Sequence, residues 1–225
     1  MIFPIGDDNI EGGHKPIFAY TLLLLNVGIF ILYWLSLDQD HIAALLNEFG
    51  VIPDEIVRGQ DLYSLVTSMF LHAGLMHLLG NALFLWIFAD NIEAIVGNLR
   101  FILFYLGGGL FASFVHIGAD PNSVIPTVGA SGAISAVMGC YLVMFPKSRI
   151  KLLFIIKTFY VSALLFLGFW FAQQIFSGIS TMNAANAEEA GGVAWWAHIG
   201  GFVYGLFFGW LFKQRFGRTY SYDTV

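Results

Sequence analysis

Charge is what this chain has least of. Only 11% of its 225 residues are Asp, Glu, Lys or Arg, 58% are hydrophobic, and mean hydropathy is +0.75. Soluble globular domains carry about 25% charged residues, so that class is excluded. Cysteine is almost missing too. Cys140 stands alone in an apolar run, which rules out a disulfide framework and a Cys-based metal site. Residues 1–16 lack the basic stretch of a cleaved signal peptide, so the first apolar segment is expected to stay as a span. There is no internal repeat and no carboxylate in the midplane of a span, which leaves a transporter or channel without support. No His-Glu-x-x-His string is present, which argues against an intramembrane zinc protease. What remains is a polytopic membrane protein in one compact domain.

Crossing a hydrocarbon core of about 30 Å takes about 20 residues of helix. Apolar segments at 17–37, 75–96, 101–117, 131–145, 152–176 and 194–212 come close to that length. The expected fold is therefore all-α, with six transmembrane helices and a long loop between the first two. Charge orients them. Lys15, Arg100, Lys147, Arg149, Lys151, Lys213, Arg215 and Arg218 fall on one side, while Asp38, Asp40, Glu48, Asp54, Glu55, Asp61, Asp120, Glu188 and Glu189 fall on the other. Arg58 is the counter-example. The positive side is the cytoplasmic one, so both termini lie in the cytoplasm and the long loop is extracytoplasmic. The expected organisation is a cytoplasmic tail at 1–16, a membrane domain at 17–213 and a second tail at 214–225. Lys157 alone falls inside a span, where it either snorkels or marks a later start. The long connection, 38–76, mixes polar and apolar residues and suits an amphipathic element lying at the interface. Glu93 and Arg100, near the cytoplasmic end of the second span, read as a structural pair.

Two polar side chains sit where they are costly. Ser131, in Gly129-Ala130-Ser131-Gly132, opens the fourth span, and His198, in Ala197-His198-Ile199-Gly200-Gly201, opens the sixth. An ionisable group in such a segment marks function by default. A serine hydroxyl beside an imidazole base, with donors for an oxyanion, is the chemistry of nucleophilic acyl transfer. Ser131 at a helix start presents its own backbone N–H, while Gly129 permits a tight turn and Gly132 relieves crowding. Gly201, Gly205 and Gly209 recur every four residues and let the sixth span approach the fourth, where Ser131, Ser135 and Gly139 share that spacing. The same recurrence also marks an ordinary packing seam. His77 and Asn81, four apart on one helix face, are candidate oxyanion donors. His72 and His77 also admit a reading as interfacial histidines or as half of a metal site. No Asp or Glu lies in spans four to six, so the expected machinery is a Ser–His dyad.

These strings resemble those of the rhomboid intramembrane serine proteases, over most of the chain from about Ile17 to Phe212. The matching residues are Thr67-Ser68-Met69-Phe70-Leu71-His72-Ala73-Gly74, His77-x-x-x-Asn81, Gly129-Ala130-Ser131-Gly132 and Ala197-His198-Ile199-Gly200-Gly201 with Gly205. The resemblance implies Ser131 as nucleophile, His198 as general base, and His77, Asn81 and the Ser131 N–H as the oxyanion site. It implies cleavage of transmembrane protein substrates near the extracytoplasmic ends of their spans. Two departures stand out: Tyr63-Ser64 replaces a frequent Trp-Arg in the first loop, and Ser135 replaces a Tyr that stacks on the histidine in some members. The expectation is a serine endopeptidase with no metal or cofactor, whose partners are membrane-protein substrates and the lipid bilayer but no nucleic acid. The expected location is the prokaryotic cytoplasmic membrane, with the oligomeric state left open. The alternative is a catalytically inactive rhomboid-like protein that binds transmembrane segments. Phe166-Leu167-Gly168-Phe169-Trp170-Phe171, with Gln173-Gln174 and the loop 177–192, reads either as a substrate gate with its cap or as a lipid-facing aromatic stripe.

Overall fold

The computed structural model describes residues 2–8, 10, 12–182 and 193–217. Most of them are helical. Helix α1 (Ile17–Ser36) leads to α2 (Gln39–Phe49) and two short helices, α3 (Pro53–Val57) and α4 (Ser64–Thr67). Then come α5 (Leu75–Val96), α6 (Asn98–Ala119), α7 (Ser131–Met144), α8 (Ala163–Met182) and α9 (Trp195–Phe216). Among the described residues, four helices are long and apolar enough to cross a membrane: α1, α5, α6 and α8. Helix α7 is apolar but has only 14 residues. Leu24, Leu32 and Leu35 of α1 point outward and are 71%, 69% and 78% exposed, a surface suited to hydrocarbon rather than water.

The fifth segment differs from its expectation of a span at 152–176. Residues there first form an antiparallel hairpin, β2 (Arg149–Phe154) and β3 (Lys157–Ser162), and α8 starts only at Ala163. Lys157 therefore marks a later start and does not snorkel from within a helix. On β2, Ile150 and Leu152 are buried while their neighbours are not, the alternation of a strand with one covered face. A third strand, β1 (Ile2–Gly6), pairs antiparallel with β2, so the described residues are mostly helical with one small sheet.

The core is set by α7, which is enclosed by α5, α6, α8 and α9 and buries nearly every residue from Gly132 to Tyr141. Helix α5 turns directly into α6 at Gly97, whose φ of +84° suits glycine. Glu93, fully buried, caps a different helix. Its carboxylate accepts the N–H groups of Phe18 (2.9 Å) and Ala19 (2.7 Å), donors that the start of α1 leaves without intrahelical partners, and Asn98 Nδ2 donates to it at 2.9 Å. Glu93 and Arg100 are thus not the pair their proximity in sequence implies. Arg100 donates to the Val96 carbonyl and lies over the Phe216 ring.

Acidic residues tie the N-terminal segment to the bundle. Asp7 accepts from Asn91 Nδ2 (2.8 Å) and from the Tyr141 hydroxyl, while Asp8 pairs with Arg149 at 3.1 Å. Burial pushes the Asp7 carboxyl up to about 7; the Tyr141 and Asn91 hydrogen bonds oppose this, and Asp90 and Asp8 add to it. A raised pKa means that docking favours the protonated acid. The stabilisation is complete below about pH 4 and is lost as pH rises through about 7. Amide exchange in β1 is accordingly expected to be faster at pH 8 than at pH 5, after correction for intrinsic rates, and Asp7→Asn should abolish the difference. Equal protection at both pH values in the unsubstituted protein would contradict this.

Candidate functional site

Ser131 is the first residue of α7, where the chain leaves Gly129 (φ +128°) and enters the helix, so its backbone N–H belongs to the unsatisfied first turn. His198 lies in the first turn of α9. Their side chains meet across the two helices, with His198 Nε2 2.8 Å from Ser131 Oγ.

Small residues make that approach possible. A Cβ on Gly201 would collide with the Gly132 carbonyl, one on Gly205 with the Ala136 carbonyl, and one on Gly139 with the Phe202 carbonyl. A Cβ on Gly209 would lie 2.9 Å from Cys140 Cα, and one on Gly132 would lie 2.7 Å from Ala112 Cβ on α6. The glycine spacing is therefore a packing seam, and this seam aligns the serine with the histidine. At its far end Lys213 Nζ donates to the Val143 carbonyl at 2.9 Å, closing the C-terminal turn of α7.

His77 and Asn81, on the first turns of α5, converge on the same backbone. A Cβ at Gly129 would lie 2.7 Å from His77 Nε2 and 3.5 Å from Asn81 Nδ2. Asn81 Nδ2 is buried without a hydrogen-bond partner among the described residues. A donor held out of water and left unspent is costly, and it is the kind of group that waits for a transient charge. Gly129 is itself tied down by its N–H to the Ser68 carbonyl at 2.9 Å. Between α7, α6 and the 127–129 segment lies a cavity of about 30 Å³, lined by Ser68, Ser113, His116, Thr127 and Ser131 among others. That is room for a water molecule beside polar partners.

The first loop is held without Trp-Arg. Tyr63 donates to the Glu48 carbonyl (3.2 Å) and meets Phe49 edge-on, and Thr67 Oγ1 donates to the Phe49 carbonyl at 2.8 Å. Val51 pairs with Thr127, and the Tyr33 hydroxyl on α1 accepts the His72 N–H at 3.1 Å. Helix α2 turns Ile42, Leu45, Leu46 and Phe49 to an apolar cluster with Phe30, Tyr33, Leu71 and Leu78, an amphipathic pattern. His72 is fully buried with its ring 5.2 Å from that of His77, and its imidazole is pushed down to about 4, by burial first and by His77 second. Among the described residues no three His, Cys, Asp or Glu side chains are grouped to hold a metal.

The surroundings of His198 are not legible in the sequence. Ser135, at the position of the missing Tyr, donates to the Ser131 carbonyl at 2.6 Å. The rings beside His198 come from elsewhere: Trp170 of α8, at 5.9 Å and tilted 35°, and Trp195, edge-on at 6.2 Å. The other imidazole nitrogen, Nδ1, is 2.8 Å from Gln174 Oε1 on α8. The aromatic run of α8 also divides. Phe166 packs on Phe84 and Phe88, Leu167 is buried and Phe171 stacks on Phe202 at 4.2 Å, while Phe169 is 76% exposed. Phe166, Trp170 and Phe171 pack against the core, and Phe169 faces outward. Of the loop read as a cap, residues 183–192 lie outside the described ones.

A family model described as the Rhomboid domain matches residues 59–215. The chain is 30% identical over 194 residues to Rhomboid protease GluP of Bacillus subtilis, covering 86% of this chain and 34% of that protein. It is 31% identical over 206 residues to Rhomboid protein 1, mitochondrial, of Saccharomyces cerevisiae, covering 89% of this chain and 55% of that protein. It is 27% identical over 153 residues to the human Presenilin-associated rhomboid-like protein, mitochondrial, covering 64% of this chain and 36% of that protein. The chain thus spans between about a third and about a half of the length of these relatives.

Proposed function

Because this chain belongs to the rhomboid family, we propose that it is an intramembrane serine endopeptidase that cuts transmembrane substrates with Ser131 as nucleophile and His198 as base. The observation that carries the reading is the 2.8 Å contact between Ser131 Oγ and His198 Nε2, beside an unspent buried donor on Asn81. Ser131 Oγ attacks the scissile carbonyl as its proton passes to Nε2. The resulting imidazolium returns that proton to the leaving amine, and an acyl-enzyme remains. Water then repeats the cycle, and the cavity beside Ser131 supplies a place to hold it. The Ser131 N–H, His77 and Asn81 are the proposed donors to the tetrahedral oxyanion.

The proposal extends to six spans, with α7 and α9 added to the four long apolar helices and both termini in the cytoplasm. Its support is the separation of ends. Ser131, His77 and His198 open α7, α5 and α9, whereas Lys213, Arg215, Arg149 and Arg100 gather where those helices finish. The site then faces the extracytoplasmic side. The relatives include bacterial and mitochondrial proteins, so the proposal is of an integral membrane enzyme and names no particular membrane. A helical substrate hides its carbonyls in its own hydrogen bonds, so it must unwind at the cut.

The test is cleavage of a single-span reporter in proteoliposomes, with product masses locating the cut. We expect cleavage near the extracytoplasmic end of the span, and in Asn81→Ala a fall in kcat of roughly 10²–10³, the loss usual for one oxyanion donor. Intact reporter, or an unchanged kcat in Asn81→Ala, would count against this assignment.

A further inference from the structure

Resting on the reading of Ser131 and His198 just given, we propose that Gln174 is the third member of the arrangement, a positioning residue whose neutral amide fixes the tautomer and orientation of the His198 imidazole. Gln174 sits within the apolar helix α8 and is only 3% exposed. A primary amide enclosed there is costly unless both of its ends are satisfied.

Both ends are, and in one sense only. Gln174 Nε2 lies 3.3 Å from the Trp170 carbonyl, and a carbonyl oxygen accepts but never donates. The NH₂ end must therefore face Trp170, which leaves Oε1 toward His198 Nδ1 at 2.8 Å. Oε1 is an acceptor, so Nδ1 carries the proton. In a neutral ring the lone pair then falls on Nε2, the atom 2.8 Å from Ser131 Oγ. The chain of donors runs from the Ser131 hydroxyl to His198, from His198 to Gln174, and from Gln174 to the backbone of α8. It joins three helices, α7, α9 and α8, in the direction a general base requires. Trp170, one turn before Gln174, adds its tilted ring beside the imidazole, so α8 sets both the hydrogen bond and one wall. An amide does this without placing an uncompensated carboxylate among apolar side chains. Amide-containing third members are known in cysteine proteases with a Cys–His–Asn arrangement.

The experiment compares Gln174→Met, which keeps the length and loses the acceptor, with Gln174→Glu, which presents an acceptor oxygen whether ionised or not. Gln174→Met is expected to lower kcat roughly tenfold to hundredfold with KM nearly unchanged, and Gln174→Glu to recover most of that loss. Independently of activity, ¹⁵N spectra of histidine-labelled protein should show His198 as the Nδ1–H tautomer in the unsubstituted protein and as a tautomer mixture in Gln174→Met. Wild-type kcat in Gln174→Met, equal losses in both variants, or an unaltered imidazole spectrum would each overturn the role of Gln174. Ser131→Ala in the same assay separates this from the underlying reading. If Ser131→Ala abolishes cleavage while Gln174→Met is fully active, only the Gln174 assignment fails; if Ser131→Ala still cleaves, the nucleophile itself is wrong.

Discussion

Replacing Ser131 with alanine is expected to cut kcat for a transmembrane reporter by roughly a millionfold, the scale on which loss of a serine nucleophile acts in serine proteases. His198→Ala should cost nearly as much, and the double variant little more than either alone, because nucleophile and base act as one unit. The geometry behind this is the 2.8 Å contact across the α7–α9 seam. The Ser131→Ala substitution should leave the fold intact. Ser131 is the first residue of its helix and half-buried, and alanine is the strongest helix former. Thermal transitions within a few degrees of the unsubstituted protein would therefore show that the loss is chemical.

The second large effect concerns the seam itself. Gly205→Ala places a methyl group against the Ala136 carbonyl, with the Ala136 carbonyl carbon and Cys140 N each 2.8 Å away. These are backbone atoms, so the helices must part. Overpacking of this kind costs about 1–3 kcal/mol. A displacement of about 1 Å between reacting groups costs on the order of 10² in rate. Gly205→Ala is thus expected to lose both stability and activity, and Gly205→Leu to lose more. Gly168→Ala is the matched control. It lies on α8, where an added Cβ meets nothing within 4 Å, and alanine is the better helix former there. Equal behaviour of the two alanine variants, in thermal unfolding and in reporter cleavage, would show that the seam does not set the site.

Much of this architecture is legible in the sequence because it rests on length, charge and small residues. The bounds of α5, 75–96, follow from the length of an apolar run, and the start of α7 at Ser131 from the Gly-Ala-Ser-Gly string. The glycines of α9 mark the approach to α7, although spacing alone does not separate a packing seam from a site. The hairpin is not legible in the same way. Its turn is Ile155-Ile156, with Ile155 at φ +57°, where hairpins of this length usually carry Asn-Gly or Asp-Gly. Residues 152–162, rich in Ile, Leu, Phe and Val, read as the start of a membrane helix, and Lys157 is the one charged residue among them. Glu93 shows a different limit. Its partners are the N–H groups of Phe18 and Ala19, 75 and 74 residues away, whereas Arg100 merely lies close in sequence.

The orientation of His198 is hard to read from sequence for a chemical reason. A search for a carboxylate in the last three spans finds none, and it passes over an amide. Gln174 has no charge to betray it, and it reaches the imidazole from a helix whose register depends on where the hairpin ends. The available signal was its cost. A buried amide in an apolar helix needs partners, and the imidazole of His198 supplies one.

Covalent labelling with a fluorophosphonate, followed by peptide mapping, tests directly whether Ser131 is the nucleophile. A single adduct on Ser131 is expected, absent in Ser131→Ala and nearly absent in His198→Ala, with Gln174→Met labelled more slowly than the unsubstituted protein. An adduct on any other residue, or labelling that persists in Ser131→Ala, would contradict that role.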